Sequence, residues 1–205
     1  MMGSDVPMEE VTFEGREALN GTLYGNAKAD LGVVLCPPHP LYGGNRHDIR
    51  LSLISEDLAM KGISALCFDY GSYSSGIGEV KDALSALSFL RKRVKSVGII
   101  GYSFGALVAS NVASKDDVVG FVFLSTLRRL DRLEVKVDFD APKLFVHGIY
   151  DDIAPYSDFK ELYARAREMK EKMTIDTDHF YLDNPRVLDV ISRRILAFFG
   201  KFLIR

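Results

Sequence analysis

Five stretches of strand length, residues 31–36, 63–68, 97–100, 118–124 and 143–146, are almost unbroken runs of apolar side chains. Runs of that kind fit strands buried on both faces, as in a parallel sheet covered by helices. Between them the apolar period lengthens. Residues 48–61 place Ile49, Leu53, Ile54 and Leu58 at helical spacing, and further helical stretches cover 80–94, 106–113 and 156–169. Ahead of the series, 11–13 and 19–24 bracket polar turn residues and read as a hairpin. A short strand near 173–175 and a closing helix over 187–204 end it. Strand–helix alternation predicts an α/β fold, a mostly parallel twisted sheet with an antiparallel N-terminal hairpin and helices on both faces. No repeat, low-complexity tract or Pro/Gly-rich linker interrupts the pattern, so a single domain over 1–205 is expected.

In such sheets ligands bind beyond the carboxyl ends of the strands. The loop after the strand at 97–100 carries Gly101-Tyr102-Ser103-Phe104-Gly105, a G-x-S-x-G pattern between a predicted strand and a predicted helix. A serine on so tight a turn crowds its neighbours, and glycines two residues before and after it remove the clashing side chains. Its hydroxyl then stands beside a helix N-terminus, where developing negative charge is favoured.

A serine alcohol needs a base oriented by a carboxylate. Of the four histidines, His39 and His47 precede the serine, and on this kind of sheet the order is serine, acid, histidine. His179 is the histidine that follows residue 147, and it lies just past the last predicted strand. The loop after 143–146 supplies two adjacent carboxylates, Asp151 and Asp152. Asp151 is the choice for the acid; Asp152 is the runner-up and is otherwise expected to cap the helix near Tyr156 or to be solvated.

Composition removes several classes of function. A net charge of −2 over 205 residues gives no electrostatic reason to expect a nucleic-acid partner. The two cysteines, Cys36 and Cys67, both in apolar runs, suit buried reduced thiols and a cytoplasmic protein rather than a disulfide scaffold. The first ten residues are polar and acidic, without the basic start and apolar run of a secretion signal. Asp189, Arg193, Arg194 and Lys201 interrupt the apolar C-terminal stretch, so an amphipathic helix is expected there, not a membrane span.

Together these features resemble the α/β-hydrolase superfamily, from Val11 to Leu203, and within it the small cap-less serine esterases. Gly101 to Gly105 is similar to the nucleophile elbow, His147-Gly148 through Asp151 to Pro155 to an H-G-x-x-D-x-x-x-P segment, and Asp178-His179 to the histidine loop. His39-Pro40-Leu41-Tyr42-Gly43-Gly44 resembles an H-P-x-x-G-G oxyanion loop. Because Pro40 has no N–H, the resemblance implies the backbone amide of Leu41 as first oxyanion donor, paired with that of Phe104, while His39 holds the loop by a hydrogen bond.

The resemblance further implies hydrolysis of carboxylic esters or thioesters, as small-molecule substrates, through an acyl-enzyme, with Ser103, His179 and Asp151 as triad and with no metal or organic cofactor. Tyr42, Tyr70 and Tyr102 are expected along the substrate pocket, with Tyr73 a further candidate, and the protein is expected to be a monomer or homodimer. Two departures stand out. The loop Phe68 to Gly76 lacks the arginine that relatives often carry, and the 127–142 connection is too short for a multi-helix cap. Its basic cluster, Arg128, Arg129 and Arg132, reads as a solvated connection rather than a contact for an acidic substrate. A peptidase of the prolyl-oligopeptidase type shares the apparatus but usually carries an added propeller or cap. A non-catalytic binding protein on the same fold is the rival from another class.

Overall fold

The computed structural model describes residues 6–203 apart from 27 and 114–116. Residues 1–5 of the polar N-terminal stretch and residue 204 at the end of the predicted closing helix lie outside the described residues. In chain order the elements are strands β1 (Met8–Glu14), β2 (Ala18–Tyr24) and β3 (Leu31–Cys36), helix α1 (Ile49–Met60), β4 (Ser64–Phe68), α2 (Ile77–Arg91), β5 (Ser96–Tyr102) and α3 (Phe104–Val112). There follow β6 (Phe121–Leu124), β7 (Arg129–Leu130), β8 (Leu133–Glu134), β9 (Lys143–Gly148), α4 (Tyr156–Arg165), β10 (Lys170–Ile175) and α5 (Pro185–Gly200).

Eight strands form one sheet in the order β1-β2-β4-β3-β5-β6-β9-β10. β1, β2 and β4 pair antiparallel in turn, and every pairing from β4 to β10 is parallel. The continuous apolar runs conceal a two-residue alternation. Val34 and Cys36 of β3, Val97 and Ile99 of β5 and Phe121 and Phe123 of β6 pack with α2, α3 and α4 on one face. Their neighbours Val33, Leu35, Ile100, Val122 and Leu124 pack with Leu51, Ile54 and Leu58 of α1 and Ile191, Ile195 and Phe199 of α5 on the other. Because both faces are covered, both sets of alternating side chains must be apolar, which is why the strands read as unbroken runs.

Three segments depart from the sequence pattern. α4 ends at Arg165 rather than 169, because Ala166 turns extended and Met169 takes φ 60° to feed β10, which begins three residues earlier than its apolar signal. The Lys170 ammonium closes that helix end, donating to the carbonyls of Tyr163 at 2.9 Å and Ala166 at 2.6 Å. Between β6 and β9 the connection contains no helix but a small antiparallel hairpin, β7–β8. Its strands are two residues each, too short for any periodicity to be read. α5 is amphipathic, and among the described residues no helix is long and apolar enough to cross a membrane.

Candidate active site

β5 ends at Tyr102 and α3 begins at Phe104, so Ser103 alone makes the turn, with φ 56° and ψ −115°. A non-glycine residue there costs on the order of 1–3 kcal/mol and persists only where its surroundings hold it. Here the Ser103 amide donates to the Leu124 carbonyl at 2.9 Å, and its carbonyl accepts from Ala106 at 3.0 Å. A Cβ on Gly101 would lie 2.2 Å from the Gly105 carbonyl oxygen, and one on Gly105 would lie 2.1 Å from that of Cys36. The two glycines therefore let α3 sit directly on β5 and on the chain leaving β3, where His39 of the next turn packs on Phe104.

His179 and Asp151 arrive from the loops after β10 and β9. His179 Nε2 lies 3.0 Å from Ser103 Oγ, and Nδ1 lies 2.8 and 2.9 Å from the two oxygens of Asp151. An ionised carboxylate only accepts, so Nδ1 carries the proton and Nε2 is free to accept the serine hydroxyl. Burial works to raise the Asp151 carboxyl. Hydrogen bonds from His179, the Ala154 amide and Ser125 overcome it and hold the group below the usual carboxylate range. Asp152, by contrast, is exposed, and α4 has Pro155 at its N-cap with no side-chain cap, so of the two expectations for Asp152 the solvated one fits and the cap does not. Asp151 organises that segment instead, accepting from the amides of Ile153 at 3.1 Å and Ala154 at 2.7 Å. His147 is buried against Phe159, its Nε2–H donating to the Ala154 carbonyl at 2.8 Å, and burial lowers its pKa.

Two hydroxyls behind the carboxylate escaped the sequence reading. Ser125, just past β6 and fully buried, donates to Asp151 Oδ2 at 2.7 Å, and the Tyr181 hydroxyl lies 2.8 Å from Ser125 Oγ. Since the serine proton goes to the carboxylate, the tyrosine proton lies between the two hydroxyls, with the Val146 carbonyl at 3.2 Å as its second acceptor. Both residues have positive φ, 44° and 58°, so the backbone is bent to aim them. Ser125→Ala is expected to lower folding stability by about 1.5–3 kcal/mol, the value of a hydrogen bond to a charged group. Urea unfolding measures it; an unchanged midpoint would mean that the carboxylate does not depend on this donor.

The histidine loop has its own fastenings. The Tyr102 hydroxyl donates to the His179 carbonyl at 3.0 Å, Asp178 Oδ1 accepts from the Phe180 amide at 2.8 Å, and Arg50 reaches the Phe180 carbonyl at 3.4 Å while lying over the Tyr102 ring. Tyr102 is therefore a 2% exposed support beneath that loop, not the pocket-lining residue expected from the sequence. Tyr70 is half-buried, its hydroxyl donating to the Pro37 carbonyl at 3.2 Å and its ring packed on Phe68 and Phe104. Tyr42, at 87% exposure, is the one of the three that stands open to solvent.

Pro40–Tyr42 forms a 3₁₀ turn capped by His39, whose Nδ1 accepts from the Leu41 amide at 3.2 Å. The His39 ring lies 4.7 Å from that of Phe104, the residue whose amide opens α3. The loop after β4, which lacks an arginine of its own, is held by one from the N-terminal hairpin. Arg16, in the β1–β2 turn, donates to Asp82 of α2 at 2.9 and 2.6 Å and to the Ser72 carbonyl at 2.9 Å. Arg128 of the basic cluster pairs with Glu161 at 2.9 Å. Among the described residues no group of three or more His, Cys, Asp or Glu side chains is placed to hold a metal ion.

No family model matches the chain. It is 28% identical over 198 residues to an uncharacterised protein of Rickettsia prowazekii (strain Madrid E), covering 85% of this chain and 82% of that one. Among solved structures, an α/β serine hydrolase homologue from Coxiella burnetii superposes with a TM-score of 0.82 at 20% identity, over 92% of this chain and 96% of the other. An α/β serine hydrolase without a lid from Xanthomonas campestris gives 0.82 at 18% identity, over 97% and 96%. An esterase from Pyrococcus furiosus gives 0.80 at 18% identity, over 96% and 91%. The fold is that of the lid-less α/β hydrolases.

Proposed function

We propose that this chain, with its lid-less α/β-hydrolase fold, is a serine hydrolase that cleaves carboxylic esters or thioesters through an acyl-enzyme, its catalytic group being Ser103, His179 and Asp151. The observation that carries the reading is the unbroken line of hydrogen bonds from the Ser103 hydroxyl through both nitrogens of His179 to the buried Asp151 carboxylate. Ser103 Oγ attacks the substrate carbonyl carbon as its proton passes to His179 Nε2. The Nδ1–H bond to Asp151 holds the ring in register and stabilises the imidazolium that forms. The amide of Phe104, and that of Leu41 as it exchanges His39 Nδ1 for the substrate, take the oxyanion, and each such donor contributes roughly 3–4 kcal/mol to the transition state. Collapse of the tetrahedral intermediate expels the alcohol or thiol, which takes the proton from Nε2. A water then gives its proton to Nε2 and attacks the acyl carbon. The second collapse frees the acid, and the proton returns to Ser103.

With no lid over Ser103, the site is open to bulky or surface-bound esters, whose acyl part would lie across the open edge near Tyr42. The test is steady-state hydrolysis of p-nitrophenyl esters of graded acyl length, together with stoichiometric labelling by a fluorophosphonate. The reading requires the label on Ser103 and loss of turnover in step with it; labelling elsewhere, or turnover that survives full labelling, would overturn it.

A further inference from the structure

The oxyanion turn is tied to a part of the chain that the proposed chemistry does not use. His39 caps the 3₁₀ turn through Nδ1, and its Nε2 lies 3.2 Å from Asp131 Oδ2 at the tip of the β7–β8 hairpin. Nδ1 can accept from the Leu41 amide only if the ring proton sits on Nε2, and Asp131 is the acceptor that keeps it there. The Tyr73 hydroxyl donates to the same oxygen. The ring itself is wedged between aromatic neighbours, with Tyr42, Tyr73 and Phe104 at 4.9, 5.1 and 4.7 Å.

The hairpin is fastened firmly enough to serve as a fixed post. Its base closes through the Val135 amide on the Arg128 carbonyl at 2.9 Å, the Asn111 side chain of α3 donates to the Glu134 carbonyl at 3.0 Å, and the Arg132 amide bonds the Ser75 carbonyl at 3.2 Å. Leu133 is buried in the core, so closely seated that a Cβ on Gly76 would lie 2.4 Å from it. Asp131 takes φ 53° at the tip, an uncommon conformation for a non-glycine residue, and that conformation presents its carboxylate to His39 and Tyr73.

We propose that Asp131 and His39 form a second carboxylate–imidazole pair that positions the oxyanion turn. The hairpin carboxylate fixes the Nε2–H tautomer, and the bare Nδ1 aligns the Leu41 amide that the substrate oxygen takes over. Ser103 is thus flanked by two such pairs with different tasks: Asp151–His179 moves a proton, and Asp131–His39 moves none. Asp131 and His39 are positioning residues, and their catalytic meaning rests on the function proposed above.

Two measurements on the full chain test this. Long-range ¹⁵N–¹H spectra of the wild type are expected to show His39 protonated on Nε2 and bare on Nδ1. The reverse tautomer would overturn the proposal without any variant. In Asp131→Leu the tautomer is expected to become mixed and kcat for p-nitrophenyl esters to fall by about tenfold or more, against the 10²–10³ of a donor lost outright, with KM nearly unchanged. Asp131→Asn, whose carbonyl oxygen can take the same two donors, is expected to restore the tautomer and most of the lost turnover. A purely structural role would give equal losses in both variants, with the tautomer unaltered. Should the wild type hydrolyse no ester, the proposed function fails, while the spectra still decide the pair.

Discussion

Ser103→Ala is expected to lower kcat for p-nitrophenyl ester hydrolysis by about 10⁴-fold or more and to abolish fluorophosphonate labelling, while the protein stays folded. The size follows from covalent chemistry. Without the alcohol no acyl-enzyme forms, and the rate left over is that of water attacking a carbonyl held by the two amides, roughly 10³–10⁴-fold above the uncatalysed rate. Folding should survive because alanine lacks only an oxygen, and what holds residue 103 at φ 56° is its backbone bonding to Leu124 and Ala106. His179→Ala should lose about as much, and the double variant hardly more, because the alcohol and imidazole act as one unit. Additive losses in the double variant would mean that the two side chains work separately, against the 3.0 Å bond between them. An undiminished rate in Ser103→Ala would end the serine-hydrolase reading.

What the sequence disclosed and what it concealed divide along the length scale of the interactions. The five apolar runs announced the parallel strands because burial on both faces is a demand each residue meets locally. Gly101 was legible for the same reason, since the backbone its missing Cβ would strike is Gly105 and Ala106, within one short turn, whereas the contact that demands a glycine at 105 is the distant Cys36 carbonyl. Ser125 and Tyr181, which complete the shell of Asp151, stand 26 positions before and 30 positions after it, and neither sits in a pattern that names a partner. Asp131 meets His39 across 92 positions, and Arg16 meets Asp82 across 66. Asp131 lies in the 127–142 connection whose arginines read as solvated, and only the hairpin's path over α3 brings it to the turn at 39–42. Tyr102 was misplaced by the converse error. A tyrosine at a strand end is amphipathic in either setting, and only the fold shows that its hydroxyl is spent on the His179 carbonyl.

Backbone strain supplies a signal that composition does not. Of the six described non-glycine residues with positive φ, Ser103 and Ser125 present a hydroxyl to the Ser103–His179–Asp151 line, Tyr181 supports Ser125 from behind, and Asp131 presents its carboxylate to His39 at the 39–42 turn. Conformations of this kind cost on the order of 1–3 kcal/mol each, and they persist where tertiary contacts over-determine them. Stability surrendered at these points is consistent with a site whose atoms are set before substrate arrives.

Asp151→Asn is expected to lower kcat by about 10⁴-fold, the loss found when a triad histidine is held in the wrong tautomer. The bonding around the carboxylate dictates which way an asparagine would lie. Oδ1 accepts from the amides of Ile153 and Ala154, so the carbonyl oxygen of asparagine must stay on that side. Its NH₂ group then takes the Oδ2 position, facing His179 Nδ1 and Ser125 Oγ. Donating to Nδ1 from 2.8 Å, in competition with Oδ1 at 2.9 Å, it draws the ring proton onto Nε2, which then faces Ser103 as a donor and can no longer take the serine proton. Asp152→Asn, at an exposed position with no part in this network, should turn over at the wild-type rate. A dead Asp152→Asn beside an active Asp151→Asn would transfer the role to the neighbour. The same pair of proteins carries a pH signature. Because the Asp151 carboxyl is held below its ordinary value, its contribution to stability is complete above the unfolded-state pKa of about 3.9 and is lost as pH falls through the folded-state value. Urea midpoints of wild type and Asp151→Asn should therefore converge below about pH 4, where the unfolded-state carboxyl is protonated. A gap that stayed constant from pH 7 to pH 3 would mean that the ionised carboxylate contributes nothing to the fold.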